Sequence, residues 1–101
     1  MKTTAIEIPK ERIAEYSKKW KLKELSIFGS ALGDDFGPES DVDILVEFLD
    51  DADWDLYDWI DMIDELSAIF GRHVDLVAKE GLRNPYRRRS ILGSREIVYE
   101  A

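Results

Sequence analysis

The chain contains no cysteine and only one histidine, and its basic residues are outnumbered by its acidic ones. The lack of cysteine excludes a thiolate nucleophile, a disulfide framework and a cysteine-ligated zinc site. With 14 basic and 22 acidic residues the net charge is −8. This charge argues against nucleic acid as the direct partner, because a phosphate backbone requires a surplus of Lys and Arg. A basic protein partner, or simply good solubility, agrees better with it.

Long apolar runs are also missing. No stretch approaches the roughly 18 apolar residues that a membrane span requires, and segment 1–16 carries charges where a secretory signal needs an apolar core. The composition is nevertheless 45% hydrophobic, which supports a folded globule. The sequence therefore predicts one domain over residues 1–101, located in the cytoplasm and without a membrane partner.

Hydrophobic periodicity predicts the element order α, β, β, α, β, α, β. The expected helices are about 9–20, about 54–70 and a short one after Pro85, and the expected strands are 22–28, 41–48, 73–78 and 95–99. The longest helix is expected to end at Gly71. The apolar arc that it should bury comprises Leu56, Trp59, Ile60, Ile63, Leu66 and Phe70. This order predicts a small α/β (α+β) domain with a mixed β-sheet flanked by helices.

The most informative stretch is segment 29–43, GSALGDDFGPESDVD, which lies between two apolar strands. Gly29 and Ser30 end the first strand. Glycine lets a phosphate approach the backbone, and serine offers a hydroxyl and backbone N–H groups to anionic oxygens. Asp41 and Asp43 should project from one face of the second strand, because side chains alternate along a strand. These features predict a site for a nucleoside triphosphate, with Gly29 and Ser30 as its binding residues.

A third carboxylate follows about thirty residues later. Asp75 is the one acidic residue in the apolar third strand, where it should share a face with His73. Oxygen ligands suit magnesium, and nucleotidyl transfer commonly uses two divalent ions about 3.5 to 4 Å apart. The candidate catalytic and metal-ligating residues are Asp41, Asp43 and Asp75.

The segments FGSALGDDFGPESDVDILVEF, GRHVDLV and EGLRNPYRRRSIL resemble the minimal nucleotidyltransferases (MNT) of the DNA polymerase β superfamily, the antitoxin partners of HEPN-domain toxins. The resemblance spans about residues 22–99 and implies the small nucleotidyltransferase fold. It implies an antitoxin that uses ATP and Mg²⁺, with two ions, to attach AMP to a tyrosine of its cognate HEPN RNase toxin and so silence it. By matching position, the resemblance implies that Gly29 and Ser30 bind the triphosphate. It implies that Asp41 and Asp43 bind the metals, and that Asp75 binds metal and the incoming hydroxyl.

Two alternatives stay open at the level of the sequence. Relatives often place an arginine where this chain has Gly33 and a glycine where Asp34 stands, and the loss of that arginine would weaken triphosphate binding. This departure allows an antitoxin of the same fold that masks its toxin by contact, with little or no catalysis. A nucleotidyltransferase that acts on a small molecule is the other alternative, although 101 residues leave little structure to enclose such an acceptor.

Overall fold

The computed structural model describes residues 8–29 and 41–101. Ser30, Gly33 and Asp34 therefore lie outside the described residues. The described helices are α1 (Lys10–Lys19), α2 (Leu56–Phe70) and α3 (Pro85–Ser94), and the strands are β1 (Leu22–Phe28), β2 (Val42–Phe48), β3 (Val74–Ala78) and β4 (Glu96–Glu100). A 3₁₀ turn, Lys79–Gly81, connects β3 to α3. The predicted order of helices and strands is confirmed.

The four strands form one mixed sheet in the order β3-β2-β1-β4. β1 pairs antiparallel with both β2 and β4, whereas β2 and β3 run parallel. Because β1 and β2 are antiparallel, the end of β1 lies beside the beginning of β2, and the parallel β3 begins at the same place. We call this end of the sheet, where β1 ends and β2 and β3 begin, the carboxylate end.

Each face of the sheet is covered by a hydrophobic cluster, which confirms the prediction of a mixed sheet flanked by helices. The larger cluster joins α1 and α2 to one face through Ile27, Val42 and Ile44. The smaller cluster lies on the opposite face and consists of Phe28, Leu45, Leu82 and Ile91, so α3 packs there. Strand alternation accounts for this arrangement, since neighbouring residues of β2 enter different clusters.

Local signals in the sequence determine where the helices begin and end. Asp55 and Asp58 form a reciprocal capping box at the start of α2, so this helix begins two residues later than predicted. Gly71 ends α2 in the left-handed conformation, with φ of 69°, which confirms the predicted stop. At α3 the Asn84 side chain accepts hydrogen bonds from the first-turn N–H groups, and the helix extends to Ser94. No helix among the described residues has the length and apolar character to cross a bilayer.

The apolar arc predicted for α2 is wrong at two positions. Leu56 is 70% exposed and Ile60 is 47% exposed, whereas Met62 and Leu66 are buried. At about 100° per residue, the buried arc is rotated by roughly 60° toward Met62 relative to the predicted one. The helix has apolar residues over more of its circumference than the sheet can cover, so part of that surface faces outward.

Candidate active site

Strand register brings the predicted carboxylates together at the carboxylate end. Asp43 of β2 pairs with Asp75 of β3, and the two side chains share the face opposite the larger core. Strands in a sheet lie about 4.8 Å apart, so the two carboxylates are direct neighbours. Asp41 immediately precedes β2 and has the same parity as Asp43, which places it on the same face. On the other side of β2, Phe28 pairs with Asp43, and Gly29 follows it.

The Asp41 side chain contacts His73. The Oδ1 atom of Asp41 lies 3.3 Å from Nδ1 of His73, and both side chains are more than half exposed. Such an exposed pair contributes little to stability, on the order of 0 to 1 kcal/mol. The sequence alone places His73 on the face of Asp75. Its contact with Asp41 depends on the β2–β3 register, which the spacing of residues along the chain does not reveal.

Gly29 leaves the sheet in a conformation that only glycine adopts easily, with φ of 73°. A Cβ atom at this position would lie 3.1 Å from Cγ of Asp43 and closer still to Oδ2. The backbone of Gly29 therefore packs directly against the Asp43 carboxylate. Gly29 therefore has a structural role as well, because the absence of a side chain at this position leaves room for the Asp43 carboxylate.

Comparison with known proteins assigns this arrangement to a family. The family model described as "Nucleotidyltransferase domain" matches residues 10–98. The chain belongs to this family. A relative from Methanocaldococcus jannaschii, which carries the provisional name of a protein adenylyltransferase, is 38% identical over 81% of this chain and 80% of its own. The "Protein adenylyltransferase MntA" of Thermococcus cleftensis is 33% identical over 84% of this chain and 81% of its own.

Solved structures agree with the nucleotidyltransferase fold. One of them is a complex of a tri-AMPylated HEPN toxin of Shewanella oneidensis with an MNT antitoxin. This nucleotidyltransferase aligns to it with a TM-score of 0.61 and 21% identity, over 91% of this chain and 70% of the other. The likeness establishes a shared fold, in agreement with the mixed sheet and its flanking helices.

The carboxylates at the carboxylate end of this nucleotidyltransferase are suitable ligands for magnesium. Carboxylate oxygens are hard ligands, and Mg²⁺ is usually held by one or two of them together with substrate phosphates. The described residues contain no group of three or more His, Cys, Asp or Glu side chains arranged to hold a metal ion. Asp43 and Asp75 place two such oxygen donors side by side. Because substrate phosphates usually complete the coordination of Mg²⁺, we expect metal and nucleotide to bind together through Asp43.

Replacing Gly29 with alanine tests the close approach to Asp43. We expect Gly29→Ala to weaken binding of ATP with Mg²⁺, because the added Cβ displaces the Asp43 carboxylate. The positive φ should also cost about 1 to 2 kcal/mol of unfolding free energy. Gly71→Ala is the matched control, since Gly71 has φ of 69° but open space around a Cβ. Urea unfolding should show similar losses for both variants, and calorimetry should show weakened ATP binding for Gly29→Ala alone. Native ATP affinity in Gly29→Ala would contradict this account.

Proposed function

We propose that this nucleotidyltransferase is a cytoplasmic antitoxin that transfers AMP from ATP to a tyrosine of a HEPN-domain toxin. The observation that carries the proposal is the pairing of Asp43 with Asp75 at the carboxylate end, beside the backbone of Gly29. The relatives named as protein adenylyltransferases support a protein as the acceptor. The solved complex with a tri-AMPylated HEPN toxin supports the choice of toxin.

The proposed reaction forms one bond and breaks another. The tyrosine oxygen bonds to the α-phosphorus of ATP, the bond from that phosphorus to the bridging oxygen breaks so that pyrophosphate leaves, and the tyrosine proton passes to solvent water. Magnesium, when bound, supplies the positive charge that balances the triphosphate. In this proposal Gly29 and Ser30 bind the triphosphate, and Asp41 and Asp43 hold metal. Asp75 holds metal and orients the incoming hydroxyl.

The environments of the two paired carboxylates support this division of roles. Asp43 lies on the internal strand β2 and is half-buried, whereas Asp75 is exposed on the edge strand β3. A bulky acceptor can approach Asp75 from the open side of β3, while the nucleotide occupies the side of Asp43 and Gly29. An acceptor delivered on another protein suits this open geometry, because no part of the described chain needs to enclose it.

A second candidate function is masking of the toxin without transfer. The exposed acidic side chains of α2, such as Asp61 and Asp64, favour it because they would attract a basic partner. Masking by contact would require stoichiometric antitoxin and would survive the loss of Asp75. Transfer requires only catalytic amounts of antitoxin together with ATP and Mg²⁺.

Mass spectrometry of the toxin separates the two functions. We expect a catalytic amount of this protein, incubated with its cognate HEPN toxin, ATP and Mg²⁺, to raise the toxin's mass by one or more AMP units. The modified toxin should stay inactive as an RNase after the antitoxin is removed. The matched reaction without ATP should leave mass and RNase activity unchanged. If the toxin stays unmodified and is inhibited only by a stoichiometric amount of antitoxin, the masking function is correct and the transfer function is not.

A further inference from the structure

An apolar groove lies at the end of the sheet opposite the carboxylates. It has a volume of about 450 Å³ and is open to solvent, between the ends of β2 and β3 and the start of α2. Its apolar walls include Phe48, Leu49, Trp54 and Trp59. Phe48 lies five residues after Asp43 on β2, and at about 3.3 Å per residue this places the groove roughly 17 Å from the candidate active site. The nucleotide chemistry described above makes no use of it.

Beside the groove, α2 exposes an apolar surface that begins at Leu56, one turn from the groove residue Trp59. Leu56 and Tyr57 are 70% and 78% exposed, and Ile60 is 47% exposed. Leu56 lies one turn from Trp59 and Ile60 on the helix, so these side chains are neighbours. Tyr57 lies one turn from Ile60, on the side of the helix away from Trp59. Large apolar side chains exposed next to a groove are typical of a protein contact site. We call the groove together with Leu56, Tyr57 and Ile60 the α2 surface.

The α2 surface is held in a fixed shape. The indole N–H of Trp54 donates a 2.8 Å hydrogen bond to the carbonyl of Trp20, and the two rings pack edge to face with centroids 5.1 Å apart. The capping box of Asp55 and Asp58 fixes the first turn of α2, with hydrogen bonds of 2.8 and 3.0 Å. A preformed surface lowers the entropy cost of binding a partner.

Charge around the α2 surface selects the kind of partner. Segment 50–65 contains eight acidic residues and no Lys, Arg or His. Lys21 and Lys19, which lie outside the segment, pair with Asp51 and Glu65, while Asp61 and Asp64 are exposed on the helix. Acidic side chains around apolar anchors complement a segment that combines Lys or Arg with a bulky apolar side chain. They disfavour a second copy of this acidic chain, because like charges would face each other.

We propose that the α2 surface docks a cationic segment of the protein acceptor, with a bulky apolar side chain of that segment in the groove. This inference rests on the proposed function, since the acceptor is the HEPN toxin. Docking and chemistry then use opposite ends of the sheet. The active site needs to recognise little beyond a tyrosine and ATP, because the α2 surface holds the acceptor.

The test compares two tyrosines that occupy equivalent positions. Tyr57 and Tyr86 are each the second residue of their helix and are 78% and 84% exposed. With the purified cognate HEPN toxin and no ATP, calorimetry should show that Leu56→Ala with Tyr57→Ala raises the Kd at least about tenfold, as expected for central interface anchors. Tyr86→Ala should leave the Kd unchanged. In the transfer assay the double variant should raise the KM for toxin with kcat retained, and its ATP affinity should equal the native one.

The contribution of acidic charge to toxin binding is tested with a matched pair of double variants. Asp61→Asn with Asp64→Asn should weaken toxin binding and reduce the dependence of that binding on salt. Glu11→Gln with Glu15→Gln on α1 removes the same charge and should do neither.

Equal Kd values for the Leu56 and Tyr57 double variant and for the Tyr86 variant would overturn the docking proposal. Self-association in sedimentation that Tyr57→Ala abolishes would overturn it as well, in favour of a second copy.

The outcomes also distinguish the docking proposal from the proposed function. AMP transfer with an unchanged KM in the Leu56 and Tyr57 variant would reject docking and keep the transferase. Toxin binding that depends on Tyr57, without any AMP transfer by the native protein, would reject the transferase and keep docking.

Discussion

A variant carrying both Asp41→Asn and Asp43→Asn is expected to lose measurable binding of ATP in the presence of Mg²⁺. Each substitution removes a negative charge and a hard oxygen ligand while keeping the size of the side chain. Asp43 is the larger contributor, because it lies between Gly29 and Asp75 at the carboxylate end. We expect the affinity to fall at least about a hundredfold, or about 2.7 kcal/mol.

Calorimetry with ATP and Mg²⁺ measures this loss directly. Asp61→Asn with Asp64→Asn is the control, because it makes the same change in net charge on the exposed face of α2. That control should bind ATP as the native protein does. Retained ATP affinity in the variant of Asp41 and Asp43 would show that these residues do not hold the nucleotide through metal.

Asp75→Asn is expected to separate binding from chemistry. The residue lies on the edge strand, away from Gly29, and is exposed, so ATP should bind with near-native affinity. Transfer of AMP to the toxin should fall on the order of 10²- to 10⁴-fold, as is usual when a group that positions or deprotonates a nucleophile is removed.

Single-turnover transfer of labelled AMP, with saturating ATP and toxin, isolates this effect from binding. Glu100→Gln serves as the control, since Glu100 is an exposed carboxylate on the other edge strand, β4. If the variant of Asp75 transfers AMP at the native rate but binds ATP weakly, the roles proposed for Asp43 and Asp75 are reversed.

Local patterns made much of this fold predictable. The bounds of β1 match the prediction at both ends, because Lys21 and Gly29 flank the strand and both have positive φ. Alternation along β2 placed Val42 in the core and Asp43 on the opposite face. Gly71 marked the end of α2 because a helix stops readily at a glycine in the left-handed conformation.

Features that depend on contacts between distant segments could not be predicted in this way. The exposure of Leu56 and Ile60 depends on how much of α2 the sheet covers, and a helical wheel contains no information on that area. The contact between Asp41 and His73 depends on strand register. The sequence identified Asp41, Asp43 and Asp75 as a set, and the relation of Asp43 to Asp75 required the parallel pairing of β2 with β3.

The outer strand β4 carries acidic residues near both of its ends. If two molecules joined antiparallel through this strand, centred on Val98, Glu96 of each would lie opposite Glu100 of the other. Like charges placed directly across a strand pair repel, and two such pairs would form in one short contact. The exposed edge is thereby protected against extension of the sheet from molecule to molecule, which is a common route to aggregation. Two side chains, of which Glu96 lies at the carboxylate end beside Ile27 of β1, thereby protect one edge of the sheet.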